Sequence, residues 1–227
     1  MLFPPVSPLA AEERPRERLL RHGPAVLTDA ELLAIVLRTG TPGRPVLALA
    51  GDILTGFGGL RGLLSAEPHA LSHVPGLGMA KICQVLSVLE LARRAMREEL
   101  VRECALDHPA RVKQYCLALL GHREIEHCIA LFLDSRLRLI ATGEVARGTL
   151  SQASVYPREV VRDALRHHAA ALILAHNHPS GQPEPSEADQ RLTRHLRHAL
   201  ALVDVRLLDH LIVAGGDAVS MSERGQL

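Results

Sequence analysis

The sequence predicts a small all-helical domain over about residues 1–105 and an α/β domain over about residues 107–227. Three observations carry this. Residues 1–105 show helical apolar spacing and no strand-type run. Residues 107–227 alternate short apolar runs, bounded by turn residues, with helical patterns. Between them, residues 98–106 are charged and suit the end of a long helix or a linker. At 227 residues and 47% apolar composition, the chain can build one large core or two small ones. Aromatic residues are only 2% and Trp is absent, so Leu, Val, Ile and Ala must do the packing.

Residues 1–15 read as a poorly ordered lead-in with Pro4, Pro5 and Pro8. A helix follows over 16–22. Thr28 with Glu31 forms a capping box that opens a helix to about residue 37. Gly40-Thr41-Pro42-Gly43 breaks the chain. An apolar helix runs over 46–54 and ends at Gly56, and 59–64 is a short helix or turn. Val74-Pro75-Gly76-Leu77-Gly78 precedes an amphipathic helix from Met79 to about Arg97. In the second half, 110–120 is helical, 126–133 is a strand, Asp134-Ser135-Arg136 a turn and 137–142 the answering strand. A third strand is expected within 143–155, broken at Gly148. Pro157 suits the first position of a helix to about His168. The apolar run 170–175 is short and bounded, which reads as a buried strand. Ser186 caps a helix to about Leu202. Strands at 205–208 and 211–214, around Asp209-His210, and a short one at 218–221 complete the order.

The net charge is +1. Residues 1–105 carry 12 basic and 11 acidic side chains, and residues 106–227 carry 14 of each, so neither half is a basic module. Lys81 and Lys113 are the only lysines. No run of about 18 apolar residues offers a membrane span, and the N-terminal prolines interrupt any signal-peptide core. Cys83, Cys104, Cys116 and Cys128 form no CxxC pair, so a thiolate zinc site is not expected. The expectation is a cytoplasmic protein with reduced thiols and no membrane partner.

The chemistry concentrates in His176-Asn177-His178-Pro179 and the Pro- and Gly-rich loop that leads to Ser186-Glu187-Ala188-Asp189. Histidines at i and i+2 at the end of a strand point to one side of the chain, so their imidazoles can converge on one ion. Asp189, in the first turn of the next helix, can bring a carboxylate back to them. Two histidines, one aspartate and a fourth position for water make a hydrolytic zinc site. Other readings also fit single residues: Asp189 with Ser186 makes a capping box, and carboxylates favour a helix N-terminus. Nucleic-acid deaminases need a CxxC, and HExxH is absent. A TIM-barrel hydrolase needs roughly 250 residues.

The string HxH-x7-S-x2-D matches the signature of the JAMM (MPN+) metallopeptidases. AHNHPSGQPEPSEAD, with VYPREVVRDAL before it and LLDHLIV after it, resembles the bacterial RadC family over nearly the whole chain. The resemblance implies an MPN/JAMM domain with a mixed curved sheet and flanking helices, and a Zn²⁺ ion on His176, His178 and Asp189. It implies peptide or isopeptide cleavage, with a peptide or protein as substrate. It also implies an oxyanion-type role for Ser186 and a general base on the first strand. Glu126, 50 residues before His176, fits that layout, and Glu144 competes with it. Asn177 and Ser180 rank below these as contacts around the site, and Asp209-His210 reads as structural.

Residues 74–81 resemble a helix-hairpin-helix turn. In that motif glycines let backbone approach a phosphate, helix-terminal amides bind it, and Lys81 is placed to add charge. The same glycines serve a plain packing turn. The rival function is therefore a DNA-associated repair or recombination accessory protein that contacts DNA through 74–81 and keeps only a structural or vestigial metal site. The near-neutral charge weighs against strong non-specific DNA affinity.

Overall fold

The computed structural model describes residues 13–64, 66, 68–121, 123–148 and 155–227. Most of the predicted lead-in, residues 1–12, therefore lies outside the described residues. The chain divides into two compact units, Met1–Glu90 and Leu91–Leu227.

The first unit contains α1 (Pro15–His22), a 3₁₀ turn (Pro24–Val26), α2 (Asp29–Leu37), α3 (Val46–Gly56), α4 (Leu60–Leu64), α5 (Pro68–Ser72) and the start of α6 (Met79–Arg102). Helix α2 starts at the predicted box: Thr28 Oγ accepts from the Glu31 amide at 3.3 Å, and Glu31 accepts from the Thr28 amide at 2.9 Å. Both bonds satisfy amides that a helix N-terminus otherwise leaves open. Leu37, Leu49, Leu63, Leu71 and Ile82 form its core. Among its described residues there is no strand, only an isolated bridge between Thr41 and Arg44. Helix α5 has no counterpart in the sequence reading.

The second unit continues through α7 (Pro109–Leu120), β1 (His127–Leu133), β2 (Leu139–Arg147), α8 (Pro157–Arg166), β3 (Ala171–Asn177), α9 (Glu187–Ala201), β4 (Arg206–Ala214) and β5 (Asp217–Ser220). The five strands form one sheet in the order β2-β1-β3-β4-β5. Strands β3 and β4 are parallel and the other pairs antiparallel, so the sheet is mixed, as expected. The parallel pair is joined through α9, because parallel neighbours need a crossover.

Strands β1 and β3 are buried along their whole length. Alternation sends Ile129, Leu131 and Ile173 toward α7, among Val112, Cys116 and Leu120. It sends Phe132, Leu172 and Leu174 to the opposite face, among Val160 of α8 and Leu196 and Leu200 of α9. The sheet is thus covered by helices on both faces, which explains uninterrupted apolar runs in its central strands.

Four expected boundaries need correction. The first strand begins at His127, one residue after Glu126. The second begins at Leu139, because Leu137 is left-handed (φ 60) and Asp134 Oδ1 accepts the Arg136 and Arg138 amides in the turn. It then runs on through Gly143 to Arg147, so the residues assigned to a third strand up to Arg147 belong to β2. Residues 149–154 of that stretch lie outside the described residues. Finally, the two strands expected around Asp209-His210 are one strand, β4.

Candidate metal centre

The site is built where β3 ends and α9 begins. His176 follows Leu172 and Leu174 on the α9 face by strict alternation, and His178 lies two residues further on the same side. Ser186 caps α9 as expected. Its Oγ accepts from the Asp189 amide at 3.2 Å, while Asp189 Oδ2 accepts from the Ser186 amide at 2.7 Å and the Ser186 hydroxyl at 2.6 Å. The cap orients the Asp189 carboxylate back toward the strand end.

His176, His178 and Asp189 come together. Their candidate ligand atoms all lie within 4.8 Å of one another. The two Nε2 atoms are 2.8 Å apart; His176 Nε2 is 3.2 Å from Asp189 Oδ1 and His178 Nε2 3.3 Å from Oδ2. His176 and Asp189 are buried, whereas the His178 side chain keeps 13% of its surface. Asp189 Oδ1 has no exposed surface, and no hydrogen-bond donor reaches it among the described residues. A buried acceptor without a donor is rare and costly. Such an oxygen, with His176 Nε2 beside it and His178 Nε2 at the other carboxylate oxygen, suits a divalent cation.

The ring nitrogens that face away from the site are all engaged. His178 Nδ1 donates to the Gln182 carbonyl at 2.9 Å, which leaves its Nε2 free to ligate. His176 Nδ1 lies 2.7 Å from His210 Nε2, and His210 Nδ1 lies 2.7 Å from Thr193 Oγ. His210 has no exposed surface, and burial holds its imidazole pKa well below the usual value. Asp189 beside it raises His178, against desolvation, with the Gln182 carbonyl and the charge of Glu126 adding. For Asp189, burial opposes the charged form. The two imidazoles and the Ser186 hydroxyl outweigh it and hold the carboxyl well below the usual carboxylate range.

The two candidate bases have different neighbours. Glu126 is half-buried just before β1, its carbonyl accepts the Gly148 amide at 2.9 Å, and its charge acts on His178. Glu144, on β2 and half-exposed, lies 2.8 Å from His127 Nδ1. Asn177 points away from the imidazoles and clamps the segment that carries Glu126. Its Oδ1 accepts the His127 amide at 2.8 Å, and its Nδ2 donates to the Arg123 and Ile125 carbonyls, each at 3.0 Å. Ser180 is exposed in the following turn.

The sequence reading missed His210 as a neighbour of the site. The signal was its position inside an apolar stretch with an adjacent aspartate, which only strand pairing converts into a contact. Strand β4 has a bulge: Leu172 pairs Leu207 and Ile173 pairs Asp209, so Leu208 is the extra residue. The bulge lets Leu207 and His210 share the α9 face while Leu208 and Leu211 pack on the other. Asp209, in turn, ties the end of the sheet together. Its Oδ1 accepts from the His210 and Ser222 amides at 2.7 and 3.0 Å, and its Oδ2 from the Ser220 hydroxyl at 2.6 Å.

In the first unit, Lys81 does not project free of its turn. Its ammonium donates to the Gly40 and Gly76 carbonyls at 3.1 and 3.2 Å. Gly76 is left-handed (φ 95), and a Cβ there would stand 2.8 Å from Thr41 Cγ2. The glycine and the lysine therefore hold two turns of the same unit together. Among the described residues no helix is long and apolar enough to cross a membrane.

A mixed sheet whose strand–loop–helix unit gathers two histidines and a capping aspartate defines the class of JAB-type domains. Residues 106–226 match the family model described as a RadC-like JAB domain, and residues 6–83 match the UPF0758 N-terminal model. The chain belongs to the RadC family. It is 61% identical to a UPF0758 protein of Bordetella bronchiseptica over 220 residues, covering 97% of this chain and 98% of that one. UPF0758 proteins of Herminiimonas arsenicoxydans and Halorhodospira halophila are each 55% identical over 216 residues, covering 95% of this chain and 96% of theirs.

Proposed function

We propose that the chain is a zinc-dependent hydrolase that cleaves a peptide or isopeptide bond. The observation that carries this is the convergence of three ligand groups at a buried carboxylate: His176 Nε2 faces the donor-less Asp189 Oδ1, His178 Nε2 faces Oδ2, and the two Nε2 atoms are 2.8 Å apart. In this reading His176, His178 and Asp189 are the metal ligands. A zinc ion bound there supplies a Lewis acid that acidifies water and polarises the scissile carbonyl. Glu126, whose charge already acts on His178, takes a proton from the attacking water and delivers it to the leaving amine. Glu144 is the weaker candidate because His127 occupies its carboxylate. Ser186 is exposed beside Asp189, and its hydroxyl turns from Oδ2 to the oxyanion of the substrate.

Elemental analysis of purified protein tests the reading. The expected result is about one zinc per chain in the wild type, lost in His178→Ala and kept in Glu126→Ala. Cleavage of a peptide library should then be present in the wild type and absent from both variants. A wild type without metal that takes up none when zinc is added refutes the proposal. Iron in place of zinc would point to another chemistry of the two-histidine, one-carboxylate set. All four cysteines are free thiols, which supports a reducing, cytoplasmic setting. DNA contact through residues 74–81 gains nothing from Lys81, whose ammonium is directed at two carbonyls of its own unit.

A further inference from the structure

We infer that Thr193 and His210 are positioning residues for the metal centre: together they select the tautomer that leaves His176 Nε2 as a lone pair aimed at His178 and Asp189. The inference rests on the metal reading above for its purpose, but its premises are hydrogen-bond geometry. The chain of donors starts at a group with no choice. The Asp189 main-chain carbonyl can only accept, so the Thr193 hydroxyl, 2.6 Å away, must donate its one hydrogen. Met221 Sδ, 3.6 Å from the same hydroxyl, is a weak acceptor and does not compete.

With that hydrogen committed, Thr193 Oγ accepts from His210 Nδ1. The His210 ring has no exposed surface and bonds Thr193 and His176, neither of them a carboxylate, so a charge on it would be buried unpaired; it carries one hydrogen, on Nδ1, and its Nε2 is an acceptor. That Nε2 faces His176 Nδ1 at 2.7 Å, so His176 donates there. A neutral His176 with its hydrogen on Nδ1 has its lone pair on Nε2, the atom that faces the other two ligands. His178 reaches the same state by a separate device, its bond to the Gln182 carbonyl.

The fold makes this relay compact. Thr193 lies one turn beyond Asp189 in α9, so one helix presents the carboxylate and sets the ring of the opposing ligand. The Leu208 bulge turns His210 onto that helix. Ligand identity, by this account, depends on two side chains that touch no ion.

The tautomer can be read by ¹⁵N NMR of the imidazoles in the metal-free full-length chain, with His176 assigned by its loss in His176→Gln. Zinc affinity is measured alongside by chelator competition for the wild type, Thr193→Val, Thr193→Ser and His210→Leu. The wild type should show His176 protonated on Nδ1 and unprotonated on Nε2. Thr193→Val and His210→Leu, folded by far-ultraviolet circular dichroism, should lose that single tautomer and bind zinc about 10- to 100-fold more weakly. Thr193→Ser, which restores the hydroxyl, should recover both. A His176 that carries its proton on Nε2 in the wild type overturns the inference. So does a folded Thr193→Val with the wild-type tautomer and zinc affinity within about twofold. If the variants do not fold, the wild-type spectrum alone decides. A wild type that takes up no zinc defeats the metal reading, and the spectrum still tests the relay.

Discussion

Replacing Asn177 by Ala should loosen the segment that carries Glu126 and leave the metal ligands in place. Asn177 is 3% exposed and makes three hydrogen bonds, at 2.8, 3.0 and 3.0 Å, to main-chain groups of residues 123–127. Alanine removes all three, but the costs differ. The Arg123 and Ile125 carbonyls belong to half-buried and exposed residues and can turn to water. The His127 amide belongs to a buried residue and loses its acceptor, which costs about 1–3 kcal/mol. At about 1.4 kcal/mol per tenfold, local opening becomes roughly 5- to 150-fold more frequent. Hydrogen exchange at the His127 amide reads this directly. On the proposed hydrolase reading, zinc content should stay at the wild-type level while hydrolysis falls, because Glu126 is displaced and His176, His178 and Asp189 are not. Asn177→Asp keeps an oxygen for the His127 amide but sets a carboxylate against two carbonyls, so it should be harmed more near neutral pH than in acid. If the His127 amide of folded Asn177→Ala exchanges within about twofold of wild type, the clamp is not what holds this segment.

Two further outcomes follow from the same structure. The raised pKa of His178 means that its pairing with Asp189 stabilises the metal-free chain fully below about pH 6.5 and is lost as pH rises through the folded value. The depressed pKa of Asp189 means that its share is present above about pH 4 and is lost only as pH falls through a much lower value. In the presence of EDTA, the urea midpoint of wild type minus that of His178→Gln should therefore decline above about pH 6.5. Zinc stabilisation should grow with pH over that range, since ligation needs the neutral ring; a flat difference in EDTA would refute the pairing. In the first unit, Lys81→Met removes a charged donor from the Gly40 and Gly76 carbonyls and should weaken amide protection at Leu77 and Ile82 by about 1.5–3 kcal/mol. Unchanged protection there would show that the two turns hold without the lysine.

Much of the site was legible in the chain because its signals are local. The Ser186–Asp189 and Thr28–Glu31 capping boxes each span one helical turn, so residue spacing alone implies the bonds that form. The His176 and His178 pair needs only the two-residue period of a strand. Glu126 came from family resemblance, and the structure adds that its charge bears on His178 while Glu144 meets His127. Strand limits were less legible where local chemistry misled. Asp209-His210 reads as a break between strands, since a polar pair interrupts an apolar run. It stays inside β4 because Ser220 and Ser222 satisfy the aspartate and His176 and Thr193 satisfy the histidine. Gly143 reads as a strand end, yet it sits within β2, where a Cβ would stand 3.2 Å from the Phe132 ring.

What the sequence determined by itself is therefore most of the helices and the two central strands, the cap that aims Asp189, and the side of β3 on which two histidines stand. What only the tertiary structure decided is the company those histidines keep: the parallel pairing of β4 beside β3, the bulge that turns His210 toward α9, and the clamp from Asn177 to a segment 50 residues earlier. The physical reason is range. Caps and periodicity are set by neighbours within a turn or two, whereas a buried histidine, asparagine or aspartate is tolerated only when distant strands bring it a partner.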